Sequence, residues 1–158
     1  MANNSTLVVE QGVSLALPIE TRSTLSQEDG RPDVRRFFPG GPAVYAVSSM
    51  ATTDVPPIDA VGLAAGDVVS VYRVYEGYSR TVRPAPQIEG AEEAMLLDFV
   101  WEDSSGVLMH SLVVVAGVPG RTIVVHGALP ELHGSDALSA MEATLMSCHL
   151  NEGLLEQS

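Results

Sequence analysis

The hydrophobic pattern is clearest between Met95 and Gly127. Three apolar stretches, Met95–Glu102, Val107–Ala116 and Thr122–Gly127, follow one another there with short polar breaks. Each is short and rich in Val, Leu and aromatic residues, and reads as a strand. The breaks "DSSG" and "GVPGR" carry the Asp, Ser, Pro and Gly of hairpin connections. Upstream, "TLVVEQGVSLALP" alternates with period two on either side of Gly12, and "AVYAVSSMA" (Ala43–Ala51) forms a further strand. Between them, residues 20–42 are dense in turn formers and are expected to be a mobile loop.

The segment "PIDAVGLAAGDVVSVYRVYEGY" pulls two ways. Its Val and Tyr content favours a strand, yet Val68, Val71, Tyr72 and Tyr75 recur at helical spacing. A helix starting near Ile58 or Asp67 and ending near Gly77 is the expected outcome. Beyond the third strand, "HGSDALSAMEATLMSCHLNEG" predicts a closing helix. Ser135 would cap it, Asp136 would sit in its positive first turn, and Gly153 would end it. Leu138, Met141, Leu145 and Cys148 form its apolar stripe. A helix following an antiparallel meander packs across a sheet face. The expected fold is therefore α+β: one domain over residues 1–158, a two-layer sandwich. Its antiparallel sheet would have about five to six strands, with the middle and C-terminal helices on one face and a tail at 151–158.

Strand register defines the first candidate surface. With Ser104-Ser105 as a two-residue turn, Phe99 faces His110, Trp101 faces Leu108 and Leu97 faces Leu112. The other face then mixes Val100, Met109 and Val113 with Asp98, Glu102 and Ser111. A sheet face shown to water is normally polar, and this one would be half apolar. Either a loop or a homodimer partner covers it, or it is a groove for an apolar peptide or helix. Arg35, Arg36 and Phe37 belong to a second candidate contact, the Arg31/Arg35/Arg36 cluster beside Phe37 and Phe38. The alternative is a loop pinned by its own acidic neighbours.

Composition changes this picture mainly by exclusion. The chain has 158 residues, of which 46% are hydrophobic and 18% charged, which suits a packed globule and not a disordered chain. Twenty acidic residues against eight arginines and no lysine give a net charge of −12. Such a surface repels phosphate backbones and anionic lipid, so neither nucleic-acid binding nor membrane insertion is expected. Solubility and coding bias account for the imbalance most simply. The absence of Lys also removes Schiff-base chemistry and a P-loop. The single cysteine, an N-terminus without a basic or long apolar segment, and no apolar run of ~18 residues lead to a cytoplasmic expectation.

Candidate chemistry is thin. His110, His126, His133, His149 and Cys148 show no metal-ligand spacing, and no metal or cofactor is expected. Cys148 and His149 are adjacent and so diverge by about 100° on a helix, which argues against a dyad. An enzyme using His110 or His126 with an acid is the minor alternative to structural histidines. There is no G-x-S-x-G elbow, and "FFPGGP" lacks the lysine of a phosphate cradle.

The order of elements adds one resemblance. An early strand ending in "LP", a middle helix, the strands "GAEEAMLLDFVW", "VLMHSLVVVAG" and "RTIVVHGALPE", and a closing amphipathic helix resemble the PsbP/Mog-like fold. Within it the chain is similar to DcrB-like proteins, Lpq-type lipoproteins and Eag-type chaperones of secreted effectors, best over residues 66–150. It lacks the lipoprotein branch's signal and lipobox. The resemblance implies a non-enzymatic binding or adaptor protein, chaperone-like, holding an apolar segment of a protein partner such as a secreted effector. A structural or self-assembling subunit, with the sheet face as its oligomer interface, is the alternative.

Overall fold

The computed structural model describes residues 5–10, 13–18, 20–27 and 33–150. Its centre is β8 (Leu108–Val118), buried along almost its whole length. A strand that is apolar on both faces needs cover on both, and this requirement organises the molecule. β7 (Glu93–Glu102) and β9 (Gly120–Pro130) flank it, with β6 (Ser79–Val82) outside β7. Beyond β9 lie β5 (Val44–Thr52), β4 (Val34–Phe38) and β3 (Arg22–Ser26). The result is a seven-stranded antiparallel sheet. A second, three-stranded sheet joins β1 (Ser5–Glu10), β2 (Val13–Pro18) and β10 (His149–Leu150), with β2 in the middle.

The ambiguous middle segment is a helix, α1 (Pro57–Tyr72). Pro57 starts it where a missing N–H costs nothing, and Asp59 lies in its first turn. Its buried stripe is Val61, Ala64, Ala65, Val68 and Tyr72, whereas Val71 is exposed and Tyr75 lies beyond the helix end. The stripe packs on Leu97, Phe99, Val113, Val115 and Val124. Gly117 permits the approach, because a Cβ there would sit 2.9 Å from Val61 Cγ2. The closing helix, α2 (Gly134–Met146), buries Met141 and Leu145. Ser135 lies inside it and makes no capping bond, and the helix stops at Met146, well before Gly153. Gly153 and the tail 151–158 lie outside the described residues.

Several expectations are corrected. The helices do not share a face. α1 covers Val113 and Val115, while α2 and β2 cover the alternate residues Leu112, Val114 and Ala116. Successive side chains of a strand point to opposite faces, so the fold has three layers rather than two. The main sheet has seven strands rather than five to six. The segment expected as a loop at 20–42 contains β3 and β4, a paired hairpin at the sheet edge.

Register is the remaining correction. Phe99 lies opposite Ser111, Trp101 opposite Met109 and Leu97 opposite Val113, one residue away from the expected pairing. The cause is the turn. Asp103 pairs with Val107 through a backbone bond, leaving a three-residue loop that ends in Gly106 at φ 83°. That left-handed glycine is the device that closes a three-residue hairpin. Asp103 Oδ1 holds the loop by accepting from Ser105 N and Oγ and from Val107 N at 2.7–3.0 Å. Those bonds, the Ser105 hydroxyl first, lower its pKa. A one-residue slip moves a whole strand's side chains to the other face.

Candidate functional site

The corrected register dissolves the first candidate surface. Val113 is fully buried beneath α1, and Met109 shares its face. Asp98, Val100 and Glu102 point the other way, and Asp98 is itself buried. These five residues form no common surface.

Asp98 belongs to a chain of charged side chains. Its Oδ2 accepts from Arg83 Nη1 at 2.9 Å, and its Oδ1 lies 2.6 Å from His110 Nε2. The chain extends to Glu131, 3.0 Å from His110 Nδ1, and to Glu142 of α2, which accepts from Arg83 Nη2 at 2.6 Å. His110 therefore does meet an acid, on both sides. Both of its ring nitrogens are taken up by these carboxylates, and the side chain is buried among them. The chain joins β7, β8, α2 and the 3-10 turn Glu131–His133. Cys148 is packed in the core, and burial raises its thiol pKa to about 11, so it stays protonated at neutral pH.

The open surface lies elsewhere on the α1 side. A helix about 10–12 Å across covers two to three strands spaced about 4.8 Å apart, and seven strands span about 29 Å. α1 sits over β7, β8 and β9, so the same face of β4 and β5 is left beside it. The structure has a cleft of about 300 Å³ there. Val34, Arg36 and Phe38 line it from β4, Val44 and Ala46 from β5, His126 and Ala128 from β9, and Tyr72 from the end of α1.

Register explains the lining. One row runs Leu97, Val113, His126, Ala46, Arg36, Thr24 across the sheet, and a neighbouring row runs Phe99, Ser111, Ala128, Val44. Each row begins under α1 and ends in the open. Phe38 and Val44 are each 39% exposed, unlike Phe37, which points to the opposite face and is buried in the core. Aromatic rings wall the covered side: Tyr72 stacks on Phe99 at 4.6 Å and meets the edge of Trp101 at 5.6 Å. Tyr75 lies 4.6 Å from Trp101.

Besides the tyrosines, the polar side chains that line the cleft among the described residues are Arg36, His126 and Ser48. Arg36 is exposed, and its Nη1 donates to Ser26 Oγ at 2.6 Å. His126 lies 6.1 Å from the Tyr72 ring, and burial, with the nearby Arg36 charge, lowers its pKa to about 4. It is neutral at pH 7.

The second sequence candidate is thus split. Arg36 faces the cleft, while Arg35 and Phe37 lie on the opposite face of β4, and Arg31 lies outside the described residues. Phe38 belongs to the second candidate contact and His126 to the candidate histidines, whereas the sequence does not mark Val44 and Ala46. The period-two alternation in "VRRFF" and "VYAVSSM" is the signal that could have placed Phe38, Val44 and Ala46 on one face. Among the described residues no cluster of His, Cys, Asp and Glu is placed to hold a metal ion, and no helix is long and apolar enough to cross a membrane.

Fold and cleft together define a class: an α+β protein whose seven-stranded antiparallel sheet is covered on one face and half open on the other. Solved structures share the fold. LpqN of Mycobacterium tuberculosis, involved in cell envelope biogenesis, superposes with a TM-score of 0.58 at 15% identity, covering 93% of this chain and 90% of LpqN. PA94 of Pseudomonas aeruginosa, of unknown function, gives 0.54 at 14% identity, covering 92% and 96% of the two chains. A Bacteroides thetaiotaomicron protein gives 0.60 at 12% identity, covering 94% of this chain and about half (49%) of its own. At these identities the likeness is one of fold. No protein-family model matches the sequence, and no curated protein sequence does.

Proposed function

We propose that this protein is a non-enzymatic, chaperone-like adaptor that holds an apolar segment of a protein partner, such as a secreted effector, in the cleft beside α1. The observation that carries the reading is the apolar lining beyond the edge of α1, Ala128, Ala46, Val34, Val44 and Phe38, of which Phe38 and Val44 are 39% exposed each. Apolar surface of this kind gains about 25 cal/mol for each Å² removed from water. An open antiparallel face with flat walls suits a strand or helix better than an enclosed small molecule. The PsbP/Mog-like resemblance, with its accessory and partner-binding members, supports the same reading.

The test is a fluorescence-anisotropy titration with a labelled apolar peptide. Wild type should bind it. Ala46→Trp, which fills the floor of the cleft, should abolish binding with an unchanged melting temperature. If Ala46→Trp binds like wild type, the cleft is not the site.

Self-assembly is the second reading, favoured by the exposed apolar residues Leu63, Val71 and Val74 on and just after α1, at 67%, 59% and 77%. Light scattering separates the two: a fixed oligomer at micromolar concentration supports the subunit, and a monomer supports the adaptor.

A further inference from the structure

We infer that the segment held in this cleft carries a carboxylate, and that Arg36 is the residue that reads it. The inference rests on the proposed binding role and names the chemistry of its occupant.

The charge distribution carries the argument. The chain has a net charge of −12, yet among the described residues no Asp or Glu lines the cleft. Its formal charge is that of Arg36, at the open end of the row Val113, His126, Ala46. Arg22 adds to it, being paired with Phe38 across the β3–β4 ladder and so on the same face. Among the described residues no carboxylate pairs with Arg36. One of its five N–H groups is satisfied by Ser26 Oγ, and the fork retains donors for a ligand.

On the cleft side the guanidinium meets apolar walls, Val34 and Phe38 on its own strand and Ala46 on β5, while Thr24 and Ser26 of β3 lie on its outer side. A charge pair formed against such walls is screened less than one in open water. An occupant with an ammonium group would meet repulsion, and a neutral one would leave the guanidinium partly desolvated without a partner. A polyanion is disfavoured by the charge of the whole protein. A single carboxylate on an otherwise apolar polypeptide segment satisfies both the walls and the fork.

The test uses three otherwise identical labelled Ala/Leu peptides with Glu, Gln or Lys at the centre, titrated into the full chain. Wild type should bind the Glu peptide about tenfold more tightly than the Gln peptide, the worth of one charge-assisted hydrogen bond, and the Lys peptide least. Arg36→Gln should erase the Glu preference while keeping affinity for the Gln peptide. Arg36→Glu should reverse the order in favour of Lys. Arg36 is exposed, so both variants should keep the wild-type urea midpoint. Equal binding of the Glu and Gln peptides by wild type, lost in Ala46→Trp, would overturn the carboxylate inference and leave the binding role intact. Failure of all three peptides to bind wild type would overturn both. So would a dimer seen by light scattering and dissolved by Ala46→Trp, since the occupant is then a second copy. Displacement of the Glu peptide by decanoate at equal concentration would overturn the polypeptide occupant in favour of a fatty acid.

Discussion

Phe99 and Phe38 point from the same face of one sheet, yet Phe99 is fully buried and Phe38 is 39% exposed. The first lies on β7 under α1, stacked on Tyr72; the second lies on β4, past the reach of that helix. Both belong to apolar rows, so residue type does not separate them. Strand position does. A single helix covers the central strands and leaves the outer ones, and β4 and β5 nevertheless keep Val34, Phe38, Val44 and Ala46 on that face, while the edge strand β3 turns polar residues to it. A surface used only for solubility would have been polar there. The other face offers the contrast: α2 and the three-stranded sheet together extend its cover out to Phe37, Tyr45 and Val47.

The sharpest way to break this comparison is to truncate one phenylalanine in each half. Phe99→Ala removes a ring with no exposure and should cost about 3–5 kcal/mol in urea denaturation. A cost under about 1 kcal/mol would mean that α1 does not seal that half.

The next effect concerns His126, at the border between the halves. Burial, then the Arg36 charge, lowers its pKa from 6.5 to about 4. Between those values the unfolded chain binds a proton that the folded protein does not. The stability tied to the neutral ring is therefore present above about pH 6.5 and is lost as pH falls towards about 4, on the order of 3 kcal/mol. His126→Gln removes the titrating ring, so the stability difference between wild type and variant should change across that window. If the two track in parallel, the ring is not held neutral by the fold.

The smallest effect is the most telling for function. Phe38→Ser should change stability by no more than about 0.5 kcal/mol, because the side chain lies outside the core. It should still weaken capture of the apolar peptide. A large loss of stability would make Phe38 a core residue and remove the open half.

Legibility followed burial. β7, β8 and β9 were readable because strands packed on both faces are long and apolar. α1 was half readable: its spacing was helical, but Val71 and Tyr75, part of the apparent stripe, turn out to be exposed. β3 and β4 were hidden because strands of only five residues, among Arg, Ser and flanking turn formers, resemble a loop. They join the sheet through β5, whose pairing with β9 links distant residues such as Val44 and Ala128, and no local pattern encodes that. The register between β7 and β8 depended on Gly106, read as part of a shorter turn. That one residue decided whether Val113 met a partner or α1. Of the second candidate cluster, Arg36 holds its place at the cleft, while Phe37 and Phe38 exchange roles through the alternation of a strand that was not foreseen.

Composition and periodicity alone settle an α+β chain with a long apolar meander, two helices and an acidic surface, because these follow from local propensity, spacing and charge. Which faces the helices cover, and which half of the sheet remains open, was decided only in three dimensions. The reason is geometric: cover depends on how many strands align side by side and how wide a helix is, and neither quantity exists until distant segments pair.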